Sequence, residues 1–128
     1  AYLIDTDWMA DYLGGKSQAM RLLASLGEER ISISIITFGE IYEGVYYGPN
    51  PAVIEARFLG ILRWIDVVSL DLPIMREYAR LSGSLRSAGM RLDAMDLLIA
   101  ATAIAHDLTL VTRNVRHFGR IPGLSLLP

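Results

Sequence analysis

Cysteine is absent from these 128 residues, which excludes a disulfide framework and any thiolate metal site and suits a reducing compartment. Lysine is nearly absent as well. Lys16 stands alone against eleven arginines, a skew that a biased composition also produces but that removes whole classes of lysine-dependent enzyme. Long hydrophobic runs are missing too: the longest nearly apolar stretch, Leu97 to Ala105, is interrupted by Thr102 and is far too short to cross a bilayer. The first residues read as a strand and not as a secretory signal, so none is expected. The expectation is a soluble, cytoplasmic protein with no membrane segment. Excess positive charge is also lacking. A net charge of −2 argues against a general nucleic-acid coat, so any grip on phosphate rests on individual arginines, whose planar fork suits it.

What is present is a core. Apolar residues make up 52% of the chain, enough for a single domain over residues 1–128. Elements alternate along it. Tyr2–Asp5 reads as a buried strand, with a helix to about Leu13 and, after Gly14-Gly15, an amphipathic helix from Ser17 to Leu26. "ISISII" (31–36) is β-branched and reads as strand, with a helix opening at Thr37 and running to about Tyr47. Helix 51–63, strand 66–70, helix 72–87, helix 93–105, strand 108–112 and a short fifth strand at 124–127 complete the pattern. Strands alternating with helices predict a three-layer α/β/α sandwich around a five-stranded parallel sheet. In such sheets ligands bind beyond the carboxyl ends of the strands.

Acidic residues fall where that rule looks for them. Asp5 ends the first strand, Glu40 follows the second, Asp96 opens the helix leading into the fourth, and Asn114 follows the fourth. Carboxylates gathered without lysine hold a cation or carry raised pKa values. Oxygen donors without cysteine or histidine suit Mg²⁺ or Mn²⁺. Each has a plainer explanation as well: "TFGE" (37–40) matches a capping box, and "DAMD" (93–96) a cap with a first-turn acid. Asp5 is harder to explain that way. Strict strand alternation puts Asp7 on its face, but the strand ends first, leaving Asp7 as a helix cap or an outer aid to the site. His106 and His117 have no partner at metal-ligand spacing and read as structural or solvent-facing, and Glu43 as exposed or as support for Glu40. Arg113, Arg116 and Arg120 flank the last strand and are candidates for phosphate contact. Tyr42, Tyr46 and Tyr47 read as packing or interface.

At "LIDTD", "ITFGEIYEGV" and "MDLLIAATAIAHDLTLVTRNVRHFGRIPGLSLL" the chain resembles the PIN domain family, and within it the VapC-type toxins of toxin–antitoxin modules. The resemblance runs nearly end to end and is most specific in the C-terminal third. It implies a Mg²⁺- or Mn²⁺-dependent endoribonuclease acting on RNA, a homodimer, and silencing by a small antitoxin that packs along a groove. Asp5, Glu40 (in the T-x-x-E context of Thr37) and Asp96 match the family's catalytic acids. Asp5 and Asp96 are implied metal ligands, with Glu40, Asp93 and Asn114 as further candidates, since Asn114 stands where many relatives carry a fourth acid. Thr112 matches a hydroxyl that supports the first acid, and Met20, Leu23, Tyr42, Tyr46 and Tyr47 are candidate contact surfaces. Two other readings compete. "DTD" has the D-x-D form of haloacid-dehalogenase-like phosphatases, which need a lysine after a later strand that is missing here, as it is for a receiver-type signalling domain. A PIN-like RNA- or protein-binding module with little or no catalysis needs none of the acids.

Overall fold

All of residues 1–128 are described by the structure, a computed structural model. The chain forms β1 (Tyr2–Ile4), α1 (Thr6–Leu13), α2 (Ser17–Ser25), β2 (Ile31–Ser34), α3 (Ile35–Tyr47) and α4 (Pro51–Ile61). It continues through β3 (Asp66–Val68), α5 (Leu72–Ser87), α6 (Ala94–Ala105), β4 (Thr109–Val111) and α7 (Val115–Phe118). The strands pair in the order β3-β2-β1-β4, all parallel.

Alternation along the strands divides the core in two. Leu3 and Leu110 point to the face covered by α5 and α6, where Ile74, Leu81, Ile99 and Phe118 are buried. Ile4, Ile33 and Val111 point to the other face, against Met9, Leu13, Leu23, Ile41 and Phe58. Both faces are covered, as an all-parallel sheet requires. Leu23, read from the sequence as a contact surface, is instead 8% exposed within this second core. No helix is long and apolar enough to cross a membrane.

Besides strand ends that fall one or two residues short and a short helix, α7, that was not expected, two features differ from the sequence-based expectation. The strand expected to run through Ile36 stops at Ser34, whose hydroxyl accepts the Ile36 N–H at 3.0 Å and so starts a helix two residues earlier. A local cap thus overrides the β preference of Ile35 and Ile36. The sheet also has four strands where five were expected. Residues 124–127 contribute one parallel bridge, Leu110 to Leu126, with the Leu110 N–H donating to Ser125 O at 2.8 Å and the Leu127 N–H to Leu110 O at 3.0 Å. At its start the chain is still in a turn, the Leu124 N–H donating to Ile121 O at 3.4 Å.

The sheet order matters for the site. From β1 the chain builds outward through β2 and β3, then returns to place β4 on the other side of β1. The connections leave β1 in opposite directions, and the carboxyl ends of β1 and β4 frame the crevice where such sheets bind ligands.

Candidate active site at the carboxyl edge of the sheet

Asp5 lies one residue past β1 and caps α1. Its Oδ1 accepts the Thr6 N–H at 2.8 Å, its Oδ2 accepts the Thr112 hydroxyl at 2.7 Å, and its own N–H donates to Val111 O at 2.9 Å. The ends of β1 and β4 are therefore tied together through this one residue, which is only 7% exposed. Burial raises the Asp5 pKa above the ordinary aspartate value. The Thr112 and Thr6 hydrogen bonds oppose that rise, and the charges of Asp7 and Asp96 add to it. Asp7 does not cap the helix. It is exposed in the first turn of α1, so "DTD" does not present two carboxylates side by side as a phosphatase would need.

Glu40 reaches the same edge from α3. Because Ser34 caps that helix, Thr37 lies inside its first turn and Glu40 in its second, and the capping box read from "TFGE" does not form. Thr6 provides the connection: its hydroxyl donates to Glu40 Oε1 at 2.7 Å and stands 2.9 Å from the hydroxyl of the fully buried Thr37. Glu40 is exposed as a residue, but loss of water on the side of its carboxyl that faces the crevice raises its pKa, as do the charges of Asp5, Asp96 and Asp93, while the Thr6 hydrogen bond lowers it. Thr6, which sequence reasoning passed over, is thus bonded to Glu40 and, through its N–H, to Asp5. The only signal for it was its place between the two aspartates.

The third element is α6. Asp93 caps it, its Oδ1 accepting the Met95 N–H at 2.7 Å, which matches the plainer reading of "DAMD" for that residue. Asp96 is half-buried in the first turn, and its Oδ2 is 3.1 Å from Nε2 of His117 on α7. His117, expected to be structural, therefore stands on an acid of the cluster. His106 pairs with Asp71 at 2.8 Å, away from it. After β4, Asn114 donates its backbone N–H to the Thr112 hydroxyl at 3.0 Å, and its side chain is exposed.

The arginines divide. Arg113 is ion-paired with Asp11 and lies over the Trp8 ring, 3.9 Å from its centroid. That arrangement occupies the guanidinium that the sequence offered for phosphate. Arg116 and Arg120 are exposed and free of ion pairs. Tyr42 is committed to packing against Phe38 and Phe58 and to a hydrogen bond with Glu55 at 2.9 Å. Tyr46 and Tyr47 are 73% and 88% exposed, and Met20 is 50% exposed. A groove of about 670 Å³ between α1, α3 and α4 opens beside Thr6 and Glu40.

Whether this donor set suits a metal can be judged from its chemistry. No three acidic or histidine side chains close around one point. Two carboxylates that act on each other, one of them buried with no lysine or arginine to answer it, still match a small hard divalent ion, which is commonly held by one or two carboxylates with water completing the shell. Asp5 and Asp96 are the residues that fit this role.

The comparisons with known proteins agree in direction. A PIN domain model matches residues 2–124. Ribonuclease VapC19 of Mycobacterium tuberculosis is 41% identical over 125 residues, covering 95% of each chain. Ribonuclease VapC1 of Methanocaldococcus jannaschii is 32% identical over 124 residues, 97% of this chain and 83% of that protein. Among solved structures, VapBC2 from Rickettsia felis bound to a DNA fragment from its promoter matches with a TM-score of 0.90 at 27% identity, covering 98% of this chain and 96% of that one. The chain belongs to the PIN domain family.

Proposed function

We propose that the chain is a single PIN domain acting as a Mg²⁺- or Mn²⁺-dependent endoribonuclease, the toxin of a toxin–antitoxin pair working in the cytoplasm. The observation that carries this reading is Asp5, buried at the crevice between β1 and β4 with Asp96 and Glu40 acting on it or alongside it and no lysine or arginine answering its charge. Relatives named ribonucleases, one of them 41% identical, support RNA as the substrate.

A bound Mg²⁺ or Mn²⁺ supplies positive charge at the scissile phosphodiester and acidifies water beside it. The chain's own residues prepare the site. Thr112 and the Thr6 N–H fix Asp5 so that both its oxygens are oriented before an ion arrives. Asp96 faces the same edge from α6. Glu40 has Oε1 engaged by Thr6, which leaves Oε2 to take a proton from the attacking water, and its raised pKa favours holding that proton. Hydrolysis then adds water across one P–O bond of the RNA backbone. A single strand suits the site best, since its flexible backbone can enter a narrow crevice. With Arg113 engaged by Asp11 and Trp8, phosphate contact falls to Arg116.

Structural relatives that are toxin–antitoxin complexes support an antitoxin as partner, and the groove beside Glu40 is where a segment of it would reach the acids. The exposed Tyr46 and Tyr47 suit a second copy in a homodimer. The test is Mn²⁺-dependent cleavage of single-stranded RNA by the wild type and by Asp5→Asn. Cleavage should disappear in the variant while its circular dichroism stays native. A wild type that cleaves no RNA with either ion, and gains no thermal stability from either, defeats the proposal.

A further inference from the structure

We infer that His117 is a positioning residue for Asp96, its imidazole N–H holding the carboxylate in the orientation from which the remaining oxygen serves the divalent ion. This rests on the metal-dependent reading above.

Helix α7 places the imidazole. This single turn is pinned by Phe118, which is 1% exposed in the core beside α5 and α6, and by the Phe118 N–H donating to Asn114 O at 3.0 Å. With Phe118 fixed inward, the neighbouring His117 packs edge-on against its ring, 5.2 Å between centroids at 86°. Its Nε2 then reaches Asp96 Oδ2 at 3.1 Å, with the imidazole 22% and the carboxylate 35% exposed. A nitrogen facing an ionised carboxylate oxygen can only donate there. His117 is also the hydrogen-bond partner through which Asp96 is restrained, and it is the only basic side chain paired with any acid of the cluster. Arg113 is held by Asp11, and Arg116 and Arg120 are in no ion pair. Asp5 has two donors fixing its two oxygens and Glu40 has Thr6. Without His117, Asp96 would be the one acid facing this edge with nothing to orient it. Partners of this kind typically alter metal affinity when removed, because a ligand free to rotate must be ordered on binding.

The ring and the donor can be separated. His117→Phe keeps an aromatic side chain against Phe118 and removes the N–H, whereas His117→Gln removes the ring and keeps an N–H at a similar reach. Mn²⁺ affinity is measured by calorimetry and by thermal-shift titration, with Asp5→Asn defining how much binding belongs to this site. Ion-free melting temperature reports folding of each variant. His117→Phe should bind Mn²⁺ roughly ten- to a hundredfold more weakly than wild type, and His117→Gln should recover most of that loss. Unchanged affinity in His117→Phe overturns the inference, as does a loss that follows the ring or falls equally on both variants. If the wild type binds no Mn²⁺, or Asp5→Asn binds it as tightly, the metal-dependent reading itself fails and this inference with it.

Discussion

Thr112 shows how much of the site depends on a single hydroxyl. It is 7% exposed, donates to Asp5 Oδ2 and accepts the Asn114 N–H. Thr112→Val keeps the shape and leaves the buried Asp5 Oδ2 and the part-buried Asn114 N–H short of a partner, so stability should fall by about 1–3 kcal/mol. Thr112→Ser, which retains the hydroxyl, should lose far less. Urea midpoints of the three proteins check this, and equal losses in both variants would mean that the methyl group, not the hydrogen bond, is what counts. The placement of Asp5 was readable beforehand, because an acid ending an apolar strand has no local duty to explain it. Asp96 was readable through its agreement with Asp5 and Glu40 in position relative to strands. His117 was not. Its partner is 21 residues away, and the turn of helix that aims it is too short to leave a periodic signal.

At the scale of elements, the instructive boundary is the one between β2 and α3. Six β-branched or small residues in "ISISII" favour a strand throughout, yet the cap at Ser34 cuts it short, and this moves Glu40 from the start of a helix into its second turn. Two substitutions separate capping from the site. Ser34→Ala removes the hydroxyl that accepts the Ile36 N–H and should cost about 1 kcal/mol. Glu40→Gln leaves that cap untouched and can still accept from Thr6, so stability should shift by no more than about 0.5 kcal/mol while RNA cleavage is lost. Chemical denaturation beside a cleavage assay tests both. A cost for Glu40→Gln as large as that for Ser34→Ala would return Glu40 to a capping role. Apart from α7, which went unread, the remaining elements were legible because their signals agree: apolar periodicity, glycine pairs and proline boundaries point the same way over α1, α2, α5 and α6. The fifth strand was over-read for the opposite reason. "LSLL" has the right composition, but it meets β4 through a single bridge, Leu110 to Leu126, because its first residue is still held in a turn by Ile121 O.

The whole molecule carries the electrostatic consequence of gathering these acids. Asp5 and Glu40 are both raised above their ordinary values of 3.8 and 4.5, burial being the first cause in each. The native state therefore holds protons that the unfolded chain has released. The stabilisation this represents is complete below those ordinary values and is lost as pH rises through the raised ones. Asp71 runs the other way: the Ile74 N–H it accepts and His106 lower it, so its contribution is present above 3.8 and lost as pH falls below that. The two effects occupy different pH windows and can be told apart. In ion-free protein, unfolding free energy should decline as pH rises above those ordinary values, and the decline should be much shallower in an Asp5→Asn, Glu40→Gln double variant. Saturating Mn²⁺ should restore the wild type near neutral pH, since an ion bound only to the folded, ionised site adds stability by mass action. It should leave the double variant unchanged. Denaturant midpoints across that range, with chelator and with Mn²⁺, decide the matter. A wild type and double variant with parallel pH profiles would mean that the cluster is not electrostatically strained in the free protein. An equal Mn²⁺ response in both would place the ion elsewhere on the molecule.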